Sequence, residues 1–276
     1  MRLVQGAPGK GKPTIPTFPR SRLRVMLVGL RRCEPMTDST DHRPAETVVL
    51  LARGWRIDPR HALIAALLCL TGFAVVAGLV VTGRSEAFDT AGLKLWREGV
   101  GLAVPHGPAW LEEAVRDYTA LGGTLLRNLF ALGAIVSLLF LKLRREAVLL
   151  AATVISGWIF EAVLKGLFDR PRPTIVPHLM DAGGSSFPSG HSFNGAVVYI
   201  AMALAFAAIS RRRAVRWTVI GVALSLTLLV SLSRVWLGVH YPSDAIAGWL
   251  GGAGWAFLAS AVLYAPAKAV ADQSRT

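Results

Sequence analysis

The sequence predicts an all-α, polytopic membrane protein with six transmembrane helices. Three observations predict it. Hydrophobic residues make up 53% of the 276 residues and charged residues only 17%, against about 25% charged in an ordinary soluble domain. The apolar residues come in runs of about 20, the length a helix needs to cross the hydrocarbon core. Short clusters of Arg and Lys punctuate those runs. No period-2 alternation runs through them, which argues against a strand barrel. Six such runs are also hard to place inside one soluble helical domain.

The first span, 62–82, opens at "ALIAALLCL" after the basic stretch "ARGWRIDPR" of 52–60. In loop 83–122, "FDTAGLKLWREGVG" and "PAWLEEAVRDYTALGG" each carry the apolar face of a short helix. Both are expected in the membrane interface, where Trp96 and Trp110 are well placed. The second span, 123–141, ends at "KLRR" (142–145), and the third, 147–168, ends ahead of a proline-rich exit. The fourth, 192–210, stops at "RRRAVR" (211–216). The fifth, 217–237, and the sixth, 244–265, are separated only by the turn at 238–243.

Lys and Arg in short loops set orientation. With six spans, 52–60, 142–145 and 211–216 share one side, the cytoplasm, together with both termini. Loops 83–122 and 169–191 and the turn at 238–243 then face outward, to the periplasm or the cell exterior. The net charge of +13 reads as topology signal and attraction to anionic lipid. No folded basic domain supports a nucleic-acid partner. Cys69 lies in the first span and Cys33 in the tail, so no disulfide framework is implied.

Residues 1–60 read as a disordered basic cytoplasmic tail, rich in Gly, Pro and cations and without a sustained period. Met36 is a plausible alternative start, which would make 1–35 a mis-assigned leader. Residues 61–265 form the six-span domain and 266–276 a second cytoplasmic tail.

Three polar clusters fall on the outer side. "KGLFDRPRP" runs from Lys165 to Pro173. One cation at a helix end is ordinary snorkelling, but cations are expected to be scarce on this side, and prolines flanking Arg172 fix its direction. "SSFPSGHSF" brings Pro188, Ser189, Gly190 and His191 to the start of the fourth span. The free N–H groups of a helix start and the Ser189 hydroxyl suit an oxyanion or a phosphate, while a plain Ser cap is the simpler reading. "SRVWLGVHYPSD" places Arg234, His240 and Asp244 around the last turn. A carboxylate four residues from an imidazole is able to accept Nδ1–H, leaving Nε2 as nucleophile or base. Asp244 alone also reads as a helix N-terminal acid.

The up-and-down order of spans brings these clusters to one face. Lys165, Arg172 and Arg234 can then converge with His191, His240 and Asp244. Such a set holds a phosphate, attacks it and protonates what leaves. Two His and one Asp resemble a metal site, but three neighbouring cations repel a divalent ion, so no metal is expected.

The clusters resemble the type 2 phosphatidic acid phosphatase superfamily, the lipid phosphate phosphatases. Its signatures K-x6-R-P, P-S-G-H and S-R-x5-H-x3-D stand here as Lys165–Arg172–Pro173, Pro188–Ser189–Gly190–His191 and Ser233–Arg234–His240–Asp244, in order and at full spacing. The signatures cover 165–244, and the family's six-span layout covers about 62–265. The resemblance implies that His240 is the nucleophile and forms a phosphohistidine. Asp244 would orient it, and His191 would be the general acid, protonated in the ground state. Lys165, Arg172, Arg234, Ser189 and the Gly190 amide would hold the phosphoryl oxygens, a clamp able to replace Mg²⁺. No cofactor is implied.

Two features go beyond the signatures. Glu161, one turn before Lys165, is expected to orient it or, alternatively, to pair with Arg127. "RDYTALGG", 116–123, resembles wording in bacterial members of the family and has no physical role that the sequence supplies. The implied substrate is a membrane lipid phosphate: undecaprenyl pyrophosphate, phosphatidylglycerol phosphate or phosphatidic acid. The Ala-, Gly- and Arg-rich usage hints at a bacterium, hence the plasma (inner) membrane. Rival readings are a lipid-to-lipid phosphotransferase, a vanadate-dependent haloperoxidase-like oxidoreductase and a non-catalytic phosphate-binding membrane protein. The haloperoxidases are soluble, which weighs against the second, and a complete His240–Asp244 pair with His191 weighs against the third. Nothing in the sequence sets the oligomeric state.

Overall fold

The computed structural model describes residues 58–207 and 212–273, with side chains through Val262. The expectations for the N-terminal tail lie outside the described residues, apart from its last three positions.

Eight α-helices follow one another among the described residues: α1 Pro59–Val81, α2 Glu86–Lys94, α3 Ala109–Ala120, α4 Thr124–Phe140, α5 Arg144–Phe168, α6 Gly190–Ala207, α7 Arg213–Trp236 and α8 Pro242–Gln273. Five of them, α1, α5, α6, α7 and the Pro242–Val262 part of α8, are long and apolar enough to cross a membrane. Helices α3 and α4, bent by 46° at the break between them, qualify together as one more.

The expected spans correspond to α1 and α4 to α8. α8 continues as a helix to Gln273. Loop 83–122 departs from expectation in one place. "FDTAGLKLWREGVG" is helical only to Lys94. Strands β1 (Arg97–Glu98) and β2 (Val104–Pro105) then form a short antiparallel hairpin. Gly99 at φ 78° and Gly101 at φ 67° adopt the left-handed conformation in the connection that turns this hairpin. Trp96 packs inward against Val235 and Trp236, whereas Trp110 is exposed.

Helix α6 is the centre of the bundle. Two-thirds of its apolar window (67%) is buried, against 11% for α1, whose Leu63, Ile64, Leu67 and Leu68 point outward. α6 packs against α5, α7 and α8, and α8 packs against α1. Leu138, Leu150, Ile200, Leu204 and Ile220 fill the largest core cluster. Outward-facing Leu and Ile on the peripheral helices fit a hydrocarbon solvent rather than water.

Local signals at the helix ends aim the chain at one end of this bundle. α5 stops at Asp169, which adopts left-handed φ/ψ (35°, 43°), and Pro171 and Pro173 prevent the helix from resuming. α7 closes with Gly238 at φ 76°. The turn that follows donates Val239 N–H and His240 N–H to the Arg234 carbonyl, at 3.2 and 3.3 Å.

Candidate active site

The ends of α5 and α7, the starts of α4 and α6, the loop at 180–183 and the turn before α8 surround a cavity of about 430 Å³. Its wall includes Lys165, Arg172, His191, Arg234 and His240, joined by Arg127, Glu161 and Gly190. Residues from three separate sequence clusters therefore share one space.

Lys165 is held from its own helix. Its Nζ lies 3.0 Å from Glu161 Oε1, one turn back and buried. Arg127, the other candidate partner for Glu161, instead donates to the Gly122 carbonyl at 3.0 Å and lies over the Trp158 ring at 6.0 Å. A side chain at Gly190 would place its Cβ 2.8 Å from Glu161 Oε1 and 3.0 Å from Lys165 Nζ. Glycine there lets the ion pair reach the start of α6.

Arg172 is held by backbone. Its Nε donates to Gly184 O (3.1 Å), Nη2 to Gly183 O (2.7 Å) and Nη1 to Val239 O (2.8 Å). Nη1 also lies 3.2 Å from His240 Nε2. A guanidinium has five N–H bonds, so these contacts commit four and leave one Nη2–H free. Arg234 is buried at the end of α7. Its Nη1 reaches Thr119 Oγ1 (3.1 Å) and Met180 Sδ (2.9 Å), while its Nε has no partner.

His240 is a buried part of the cavity wall with Nε2 toward Arg172. Burial, with the charges of Arg234 and Arg172, pushes its pKa down to about 4 against the opposing pull of Asp244. The imidazole is therefore neutral at pH 7 and keeps a lone pair. The expected bond from Nδ1 to Asp244 is open: the atoms are 3.6 Å apart and Nδ1 has no hydrogen-bond partner. The Asp244 carboxylate is occupied elsewhere. Oδ1 takes Arg170 Nη1 at 2.6 Å, and Oδ2 takes the Tyr241 N–H at 2.9 Å and the Ser186 hydroxyl.

Three expected residues do not line the cavity: Asp244, Ser189 and Ser233. Ser189 is fully buried, with its hydroxyl 3.0 Å from Ser192 Oγ and its N–H donated to the Asp244 carbonyl. The Ser189 hydroxyl accepts from Ser192 and is packed under α8 rather than lining the cavity. Ser233 lies behind Arg234, 2.8 Å from Thr119 Oγ1 and 2.6 Å from Val230 O.

Comparison with known proteins decides the family. A model described as the PAP2 superfamily matches residues 146–267. Phosphatidylglycerophosphatase B of Bacillus subtilis is 30% identical over 184 residues, 64% of this chain and 83% of that protein. The chain belongs to the PAP2 superfamily. Shorter PAP2 matches include the lipid A 1-phosphatase of Rhizobium etli, 34% identical over 42% of this chain and 49% of that protein. Another is undecaprenyl-diphosphatase BcrC of Bacillus subtilis, 30% identical over 37% of this chain and 50% of that protein. The matched region thus spans about half the length of these two relatives. The crystal structure of the first transmembrane PAP2 type phosphatidylglycerolphosphate phosphatase, from Bacillus subtilis, superposes with a TM-score of 0.62. It is 26% identical, and the match covers 70% of this chain and 93% of that one.

The PAP2 signatures leave out part of the network. Arg170 bridges two buried carboxylates, Asp244 and Asp89 of α2, the latter at 2.8 Å. Asp89 also accepts the Ser243 N–H (2.9 Å) and hydroxyl (2.7 Å). The two carboxylates outweigh burial and hold the Arg170 pKa above its ordinary value. One signal for Asp89 was available: it lies four residues before Leu93, so an acid shares the buried apolar face of α2.

Proposed function

We propose that this protein is an integral membrane phosphatase that removes phosphate from a lipid phosphate or diphosphate through a phosphohistidine, without a metal. The observation that carries it is the convergence of Lys165, Arg172, His191, Arg234 and His240 on one cavity, with His240 neutral. The names of the PAP2 relatives, all lipid phosphatases, support the same substrate class.

In the proposed reaction, His240 Nε2 attacks phosphorus and displaces Arg172 Nη1 from its lone pair. The bond from phosphorus to the leaving oxygen breaks, and His191 gives that oxygen its proton. Water then attacks the phosphohistidine, surrendering a proton to His191, and the P–N bond breaks. Lys165, Arg172, Arg234 and the Gly190 amide stabilise charge on the phosphoryl oxygens, so positioning and electrostatics supply most of the acceleration. The 3.6 Å gap between His240 and Asp244 closes to a hydrogen bond when the substrate complex tightens. Ser189 acts through helix geometry, and Glu161 and Ser233 support Lys165 and Arg234.

The reading includes six spans, counting α3–α4 as one, with the cavity at the outer ends of spans three to six. It faces the periplasm or cell exterior of a plasma membrane, with both termini in the cytoplasm. A lipid then presents its phosphate at the clamp while its tails remain in the bilayer. Undecaprenyl pyrophosphate, phosphatidylglycerol phosphate and phosphatidic acid all meet this description.

The test is phosphate release from these three lipids by purified protein in detergent with EDTA, beside His240→Ala. Release that survives EDTA and is lost in the variant is expected. Release that EDTA abolishes, or that His240→Ala retains, sinks the mechanism.

A further inference from the structure

The segment 116–123, to which the sequence assigns no role, forms the end of α3 and its bend into α4. It touches two residues of the cavity wall, Arg234 and His191. Thr119 is 2% exposed, and its Oγ1 lies 3.1 Å from Arg234 Nη1 and 2.8 Å from Ser233 Oγ. Gly122 packs under His191: a Cβ there would be 3.2 Å from His191 Cβ and Cδ2 and 2.5 Å from Val230 Cγ1.

We propose that Thr119 is a positioning residue that fixes the Arg234 guanidinium for phosphate binding, and that the α3–α4 bend carrying it is built to hold the cavity wall. Proton counting gives Thr119 its role. Arg234 only donates, and each hydroxyl has one proton. Both hydroxyl protons are used when Arg234 Nη1–H bonds Thr119 Oγ1, Thr119 Oγ1–H bonds Ser233 Oγ, and Ser233 Oγ–H bonds the Val230 carbonyl 2.6 Å away. The chain ends on backbone, so its geometry is set by α7 itself. It leaves Arg234 Nη2 and the unpartnered Nε for other acceptors.

The bend is anchored on both sides. Tyr118 Oη donates to Leu226 O of α7 at 3.0 Å, and Tyr199 Oη of α6 donates to Leu121 O at 2.7 Å. Arg116 Nη2 donates to Leu179 O at 2.5 Å, tying α3 to the loop that carries Met180, the other Arg234 contact. A residue that only filled space between α3 and α7 would need no hydroxyl at 119.

This inference rests on the active-site reading above, and the experiment separates the two. Thr119→Val keeps the shape and removes the oxygen; Thr119→Ser keeps the oxygen. Two quantities are measured in detergent: kcat/KM for lipid phosphate release, and the rise in Tm produced by inorganic phosphate, which reports anion binding without turnover. A hydrogen bond to a charged group predicts that Thr119→Val lowers kcat/KM by about tenfold to a hundredfold and loses most of the phosphate-induced Tm rise. Thr119→Ser is expected to restore both. Thr119→Ala serves if the valine variant does not fold. Wild-type behaviour of the valine or alanine variant in both assays, or equal loss in Thr119→Ser, overturns the inference. His240→Ala in the same release assay judges the active-site reading independently.

Discussion

Arg170 Nη1 lies 2.6 Å from Asp244 Oδ1, while the other arm of the same guanidinium lies 2.8 Å from Asp89 Oδ2. One cation thus neutralises two buried carboxylates that would otherwise repel each other beneath the proposed nucleophile. The ring of Tyr241 closes the site over it, 4.1 Å from the guanidinium carbon. Breaking a buried pair by removing one partner costs about 3–5 kcal/mol, because the other charge is left uncompensated. Arg170→Gln is therefore expected to lower the Tm and to cut kcat/KM together. Arg170→Lys, which cannot fork between two carboxylates, should fall between. An Arg170→Gln protein with wild-type Tm and turnover would remove the bridge from the account.

Glu161 affects Lys165 more selectively. The pair spans one turn of α5 at 3.0 Å, and Arg127 is engaged with Gly122 O instead. Glu161→Gln should free the Lys165 ammonium from its fixed position. The expected result is a kcat/KM reduced about tenfold, equivalent to about 1.4 kcal/mol, in a protein that expresses normally. Unchanged kinetics would leave Glu161 only a packing role.

His240 makes stability depend on pH with a definite sign. Its ordinary pKa is about 6.5, and the folded protein holds it down to about 4. Between those values the unfolded chain binds a proton that the folded chain refuses. The stability contribution of neutral His240 is therefore complete above about pH 6.5 and is lost as pH falls toward 4. At pH 5 the loss is on the order of 2 kcal/mol. Thermal unfolding at pH 7.5 and pH 5 should show a larger fall in Tm for wild type than for His240→Gln. Equal falls would mean that His240 does not resist protonation.

The spans were legible because a helix crossing hydrocarbon must be apolar for about 20 residues whatever its neighbours do. That Lys165, Arg172, His191, Arg234 and His240 meet at one cavity was legible because each lies near a helix end that the sequence marks. Arg170, Asp89 and Thr119 were harder to read. Asp89 and Ser243 are 154 positions apart, and Thr119 and Arg234 are 115 apart, so nothing local to either partner records the contact. An Asp in the first turn of α2 looks like an acid favoured by the helix dipole. Thr119 looks like one polar residue of an amphipathic helix. The Ser189 hydroxyl was read as a ligand because the helix start is visible in sequence, whereas the Ser192 partner that occupies it depends on packing against α8.

Arg172 offers the sharpest contrast between charge and geometry. Three of its nitrogens are tied to the carbonyls of Gly183, Gly184 and Val239. They fix the loop after α5 against the turn that carries His240. The same group shields His240 Nε2 at 3.2 Å, a contact that the proposed attack on phosphorus has to break. Lysine at 172 would keep the charge but could not span three carbonyls, since its donors radiate from one atom on a flexible stem. If charge alone matters, Arg172→Lys retains most activity. The geometry instead predicts that kcat falls by about 10² or more, comparable to losing a preorganised donor. Proteolysis of loop 169–189 should also accelerate, because the carbonyls of 183 and 184 lose their tether. Near-normal kcat in Arg172→Lys with an unchanged proteolysis rate would reduce Arg172 to a point charge.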